Sequence, residues 1–514
     1  MFHGVSFLLL TIAGLKYLAR QQTLAVIDLS RQGCEVVRED SGELTLTEHF
    51  RSWLGEPEPR NVVWLSATSP LGYSYYNSKF KDTSAAQLRA FPYLELLSLD
   101  NTPISDEAAR VLDGLTRLNR LDLSGTSISD RTLEHLQMLA RLEKLSLDRT
   151  SISDAGLVYL NKLTCLRGLS LKECDISDAG LDQIKELTQL ENLWLNGTKV
   201  TDAGLKRLET FACLKCLHLR DTRVGTDSGI GSIRKMTQMV HLNLGAVNLS
   251  DSGLHQLSEL KLLETLGLDE TQVTDVGLLD LRSLTRLRLL SLDGTRTHGG
   301  GLRGLGQVRN LSLNRTHIND DDLVDVSMLA QLESLALNST AISDAGLSRL
   351  KSLTDLSSLY ICDTATTDIG LHALAGLNGL TRLYLDGTKI TNKGLFVLGD
   401  MEQLTYLSLK RTQIDDDGIA ALSRLGELVR LDLDETAVTD KATHYLSRLP
   451  RLRRLSLKGT RVSDDGLVNL YSLDQLVRLN VEGTRVTMAG MQRFKRSLPQ
   501  VVFESSETLP TREK

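Results

Sequence analysis

The sequence predicts an α/β solenoid, in which short parallel strands stack side by side and short helices back them. Three observations predict it. A motif of 24 residues recurs along most of the chain. Each copy joins an L-x-L segment of period two to a G-L-x-x-L-x-x-L segment of period three. No proline interrupts the run between Pro103 and Pro450. A unit that cannot bury its own leucines becomes stable by stacking on its copies, which yields a continuous aliphatic core.

The copies align on a threonine. The anchors are Thr102, Thr126, Thr150, Cys174, Thr198, Thr222, Val247, Thr271, Thr295, Thr316, Thr340, Thr364, Thr388, Thr412, Thr436, Thr460 and Thr484. One residue is inserted before Val247 and three are lost before Thr316. L-x-L, ahead of each anchor, reads as a strand with one buried face. The period-three segment after it fits one side of a short helix or a tight helical turn. Between them a Ser/Thr-Asp pair reads as a helix start, its hydroxyl or carboxylate capping free N–H groups at the positive helix end. The anchor lies where the chain turns after the strand. Its side chain is expected to satisfy backbone groups there and to form a hydrogen-bonded ladder, which Cys174 and Val247 break.

This pattern, over about 94–500, resembles the leucine-rich repeat family. Threonine stands where many members carry Asn or Cys. With the T-D-x-G-L helix start, the unit resembles a bacterial, threonine-anchored branch and is similar to the cysteine-containing repeats of ubiquitin-ligase substrate receptors. The resemblance implies a horseshoe with a parallel sheet on the concave face and helices on the convex face. It implies partner binding as the usual activity and no catalytic site.

Outside the repeats the chain divides further. Residues 1–20 are an apolar segment, short for a spanning helix and readable as a buried helix; the resemblance implies a membrane anchor instead, since such segments precede similar stretches in related bacterial proteins. Lys16, Arg20 and Arg31 follow it and favour keeping the repeats on the cytoplasmic side. Residues 21–92 read as an N-terminal cap: helix over 21–31, strand over 34–38, helix over 47–54, and a degenerate first repeat at Val62–Thr68. The repeat domain of about 17 copies spans 93–500 and ends on a helix at 488–498; a polar tail, 501–514, follows.

Composition removes several functions. Basic residues number 59 against 65 acidic, a net charge of −6, so the chain lacks the basic footprint of a nucleic-acid binder. Six cysteines are too few for a disulfide scaffold, and Cys165 and Cys213 stand two strands apart, too far for a bridge. Reduced thiols fit a cytoplasmic setting. Cys213 and Cys216 form a C-x-x-C with His218 and His241 near in the stack. Core filling explains these cysteines better than zinc, which needs a second pair or nearby histidines. His298-Gly-Gly-Gly301 is similar to an esterase oxyanion loop, yet the chain has no G-x-S-x-G elbow to serve it; a weak helix where the solenoid flexes is the plainer reading. The acidic runs 319–322 and 415–417 fall on the helix-start column, and capping explains them better than calcium. No catalytic residue, metal or cofactor is therefore expected.

The expected binding face is the outer side of the strands, where most positions are small or polar. Two clusters depart from this. Trp194, His218 and His241 lie on consecutive strands with Arg220 beside them. Tyr360, Tyr384 and Tyr406 do the same, with Arg382 and Lys410 flanking. Exposed aromatics with nearby arginine are common in interface hot spots. Arg430, Arg454 and Arg478 share one column, with Asp432, Asp434 and Glu482 as available counter-charges. These features point to a scaffold that binds a protein or peptide, with its main contact at Tyr360, Tyr384, Tyr406, Arg382, Lys410 and Arg430 and its second candidate at Trp194, His218 and Arg220. Serine at all three tyrosine positions is expected to leave folding almost unaffected. Two alternatives are a substrate-recognition subunit of a ubiquitin-ligase-type complex, for which 1–92 shows no F-box-like module, and an esterase-like enzyme.

Overall fold

The computed structural model describes residues 80–504, the strand segments Glu35–Arg38 and Val62–Ser66, and Ala25, which is helical. The apolar segment 1–20, the helix expected over 47–54 and the tail beyond 504 lie outside the described residues.

The chain forms two compact units, Met1–Met239 and Val240–Lys514. The first carries β1 (Glu35–Arg38), β2 (Val62–Ser66), β3 (Leu96–Ser98), β4 (Arg120–Asp122), β5 (Lys144–Ser146), β6 (Gly168–Ser170), β7 (Asn192–Trp194) and β8 (Cys216–His218). From β2 to β8 each strand runs parallel to the next, with Leu65, Leu97, Leu121, Leu145, Leu169, Leu193 and Leu217 in one register column. β1 pairs antiparallel with β2. The second unit carries β9 (His241–Asn243), β10 (Thr265–Gly267), β11 (Leu289–Ser291), β12 (Asn310–Ser312), β13 (Ser334–Ala336), β14 (Ser358–Tyr360), β15 (Arg382–Tyr384), β16 (Tyr406–Ser408), β17 (Arg430–Asp432), β18 (Arg454–Ser456), β19 (Arg478–Asn480) and β20 (Val502–Glu504), again parallel neighbours in sequence order. Between Leu96 and Asn480 each repeat contributes one strand of three residues centred on the first leucine of its L-x-L segment, and short α or 3-10 helices follow. The fold is a leucine-rich repeat solenoid, in which strand and helix leucines are buried together. Each such side chain contributes about 1.5–3 kcal/mol by leaving water.

The anchor threonine acts inside its own repeat. Thr388 Oγ1 donates to the Leu385 carbonyl at 2.6 Å, and Thr126, Thr271, Thr316, Thr412 and Thr460 repeat the bond. The residue before the anchor is left-handed: φ is 54° at Arg149, 57° at Glu435 and 65° at Gly125. A tight turn therefore brings the leucine carbonyl within reach of its own hydroxyl, while the next strand is about 4.8 Å away. The expected threonine ladder gives way to local closure. Cys174 departs from this by donating to Leu147 of the preceding repeat at 3.0 Å; Val247 has no side-chain donor and loses the bond.

Aspartate makes the ladder between repeats. Asp178 accepts from the Thr201 backbone N–H at 2.8 Å and from its hydroxyl at 2.6 Å, and Asp344 with Thr367 and Asp368 with Thr391 do the same. Thr201 in turn caps its own helix, accepting from Ala203 at 3.2 Å. The hydroxyl thus serves twice, capping its own helix and donating to the carboxylate of the preceding repeat, while its neighbouring carboxylate reaches the next repeat. Asp320 and Asp416, from the two acidic runs, make these same bonds to Ser343 and Thr439. A second row, just past the strands, works similarly, with Asp386 accepting from Ser408 Oγ and the Lys410 N–H, and Asn338 from the Cys362 N–H.

Both irregular repeats are placed by this ladder. The inserted residue is Gly225, at φ 133°, and Asp202 accepts from its N–H at 2.9 Å. In the short repeat the loss does not fall at the helix start. Asp275 still accepts from the N–H groups of His298, Gly299 and Gly301, so the register holds through Leu302. The lost residues are one L-x-x turn beyond it, and only Gly300–Leu302 remains helical. Gly299 occupies the aspartate column and offers the next repeat no carboxylate. Asn319 N–H turns instead to Asp322, at 3.0 Å.

Candidate functional site

The three tyrosines come together in the second unit. Tyr360 and Tyr384 are register partners on β14 and β15, while Tyr406 opens β16 opposite Arg382 and is followed in register by Arg430. Strand spacing is close to the distance at which aromatic rings stack. The Tyr360 and Tyr384 centroids are 4.2 Å apart and their planes 20° apart; Tyr384 and Tyr406 are at 4.4 Å and 28°. The Arg430 guanidinium lies 4.8 Å from the Tyr406 centroid and extends the column by a cation–π contact.

Asp432 ties this column down. It is 2% exposed. It accepts from Arg430 Nη2 at 2.9 Å and Nε at 3.2 Å, and from the Tyr406 hydroxyl at 2.9 Å. Lys410 Nζ is 3.5 Å away and also approaches Asp434 at 3.8 Å. Burial opposes the charge on Arg430 and on Lys410, but the neighbouring groups, Asp432 foremost, together outweigh it and raise both pKa values. Burial, then Tyr360, pushes the Tyr384 phenol up to about 12. Burial, then Asp432, holds Tyr406 far above the usual phenol range. Both phenols are neutral at physiological pH, presenting ring edges and hydroxyls rather than charge.

Of the residues singled out in sequence, Tyr360, Tyr384, Tyr406, Lys410 and Arg430 thus form one connected group. Arg382 stands exposed beside it. Asp434 accepts from Ser456 and the Lys458 N–H, and Glu482 pairs with Lys458 at 3.4 Å. Arg478 meets Glu504 of β20 at 3.2 Å. Sequence reasoning missed Asp432 as the common acceptor of Tyr406 and Lys410. The available signal was an acidic residue in a column of small ones, one strand beyond the last tyrosine. The hydroxyl bond also revises the expectation for serine at 406, which would leave a buried carboxylate short of a donor.

The second candidate is looser. Trp194 and His218 are register partners with ring centroids 6.2 Å apart, tilted at 59°. Lys172 Nζ lies 5.9 Å from the indole and 3.6 Å from Asp148. Arg220 is part-exposed on the same unit. His241 opens the other unit, with Nδ1 3.1 Å from Thr265 Oγ1. Cys216 is buried and burial pushes its thiol up to about 11, which suits core filling. Among the described residues no group of three or more His, Cys, Asp or Glu is placed to hold a metal ion, and no helix is long and apolar enough to cross a membrane.

Residues 196–446 match the family model described as a leucine-rich repeat region. These residues are a leucine-rich repeat region. Among solved structures, the chain is similar to an internalin from Listeria monocytogenes, at 23% identity over 63% of this chain and 88% of that one, with a TM-score of 0.49. It is similar to a leucine-rich repeat protein of Leptospira interrogans, at 19% identity over 82% and 98%, with a TM-score of 0.46. A plant peptide hormone receptor, solved in complex with its hormone, is similar at 13% identity over 81% and 86%, with a TM-score of 0.36. None of the curated proteins matches the chain.

Proposed function

We propose that this leucine-rich repeat protein is a non-enzymatic scaffold that binds a protein or peptide on its sheet face. The main contact is the surface of Tyr360, Tyr384, Tyr406, Arg382, Lys410 and Arg430. The observation that carries this reading is the stacked tyrosine column. Three rings and a guanidinium are packed against one another on rigid strands, so they lose little freedom when a partner arrives. Tyrosine edges suit a surface that is wet when free and dry when bound, and most repeats place Ser, Asp or Asn in the column of Tyr360 and Tyr384. The threonine-anchored bacterial subclass and a setting in the cytoplasm, or on the cytoplasmic side of a membrane, belong to the same proposal and rest on the sequence pattern.

A photo-crosslinking residue placed at Arg382, on the sheet face, and separately at Lys393, exposed on the helix Asn392–Leu398, tests it in cells that express the protein. One discrete adduct from position 382 and none from 393 is expected. Adducts from 393 alone, or the same set from both positions, would place the contact elsewhere.

A further inference from the structure

We infer that the partner seated on the tyrosine surface is an acidic peptide segment; the inference rests on reading that surface as the contact site. The first strand column from β15 to β19 reads Arg382, Tyr406, Arg430, Arg454, Arg478. Two of its arginines are spent within the fold, Arg430 on Asp432 and Arg478 on Glu504. The other two, Arg382 and Arg454, are exposed. Neither side chain has an ion pair or hydrogen bond among the described residues, and the same holds for exposed Arg453 beside Arg454. The neighbouring carboxylates are already engaged: Asp432 with Arg430, Tyr406 and Lys410, Asp386 with Ser408 and the Lys410 N–H, Asp434 with Ser456 and the Lys458 N–H. Nothing in the repeat asks for arginine here, since the same column holds Thr265, Asn310 and Ser334 elsewhere in the unit.

Unspent guanidinium groups on β15 and β18, with Tyr406 and the paired Arg430 between them in the column, fit carboxylates, which arginine engages bidentately. A chain with a net charge of −6 that keeps positive charge on one face steers an anionic partner there. The geometry also sets a spacing. Arg382 and Arg454 are three strands apart, about 14 Å at 4.8 Å per strand, and an extended peptide covers about 14 Å in four residues. The matching segment carries acidic residues at positions i and i+4 and an apolar residue between them over the ring edges. Nucleic acid is the less favoured anion, because three carboxylates share this face.

The test titrates the full chain with a labelled short peptide that has two glutamates four residues apart and a leucine between them. The controls are the same peptide with both glutamates changed to glutamine, or to lysine, and a single-stranded oligonucleotide. The glutamate peptide is expected to bind at least tenfold more tightly than the glutamine version, with an advantage that shrinks as salt is added. The double variant Arg382→Gln, Arg454→Gln is expected to abolish that advantage without moving the melting temperature. Equal binding of glutamate and glutamine peptides, both weakened by Tyr360→Ser with Tyr384→Ser, would overturn the acidic partner and leave the tyrosine surface standing. A glutamate preference that the arginine variant removes and the tyrosine variant leaves intact would overturn the tyrosine surface instead. No binding by any peptide, or tighter binding by the oligonucleotide, would overturn the inference.

Discussion

The Asp368 carboxylate fills the space that a side chain on Gly394 would need: a Cβ there would lie 2.5 Å from Asp368 Oδ1. The glycine of the D-x-G-L motif is thus a cradle for the aspartate of the preceding repeat, and Gly204 and Gly370 stand in the same relation to Asp178 and Asp344. Gly394→Ala is expected to cost about 1–3 kcal/mol, the usual penalty for overpacking. Gly376→Ala, where a Cβ would meet nothing within 4 Å, is expected to stay within about 0.5 kcal/mol of the parent. Urea unfolding of the two variants gives the comparison; equal loss in both would remove the cradle.

The second aspartate row makes a pH-dependent prediction. Burial raises the Asp386 carboxyl above its ordinary 3.8, against hydrogen bonds from Ser408 and Lys410 that lower it. The folded chain therefore holds this proton to higher pH than the unfolded chain. Stability from the group is present below 3.8 and falls as pH rises through the raised value. Asn338 shows that an amide oxygen accepts equally well in this row. Asp386→Asn is expected to melt at or above the parent temperature at neutral pH, with the difference closing as pH falls through the carboxylate range. A variant that is less stable at pH 7 would show that the charge on Asp386, through Lys410, outweighs its burial.

The glycine-rich short repeat lacks both a helical turn and the carboxylate that would hold its successor. Repeat arrays open at their weakest interface. Backbone amides over 296–306 are expected to exchange faster than those of 272–283 and 317–328. Uniform protection across 270–340 would mean that the polar contacts left in place, such as Arg303 to Asp325 at 2.6 Å, restore the interface.

Tyr406 separates folding from recognition. Its hydroxyl donates to a carboxylate that is almost fully buried. Tyr406→Phe removes one donor and is expected to cost about 1–2 kcal/mol, and Tyr406→Ser is expected to cost more by also vacating the stack. Tyr360→Ser and Tyr384→Ser lose stacking but leave the hydrogen bonds to Asp432 in place, and are expected to fold as the parent does. Thermal melts of the four single variants check the order.

The strands and their register were legible because Leu97, Leu121 and their successors fall at a fixed interval, and period two followed by period three admits few other folds. The cluster of tyrosines was legible for the same reason: a fixed interval places Tyr360, Tyr384 and Tyr406 on adjacent strands. What the pattern did not reveal was which group each polar side chain chooses. Thr388 faces a nearer acceptor in its own turn than in the next repeat, and Asp368 reaches the next repeat through the space left by the missing Cβ of Gly394. Asp432 was legible as a charge beside Arg430 but not as the acceptor for Tyr406, since that bond depends on a diagonal approach across β16 and β17. In the short repeat, counting residues gave the size of the deletion, while only the Asp275 hydrogen bonds placed it beyond Leu302.

Partner capture by the double variant Tyr360→Ser, Tyr384→Ser tests the tyrosine surface most directly. Capture of the native partner is expected to fall at least tenfold, about 1.4 kcal/mol, with the melting temperature unchanged. Unchanged capture by a stably folded variant would contradict the assignment and move the contact to Trp194, His218 and Arg220.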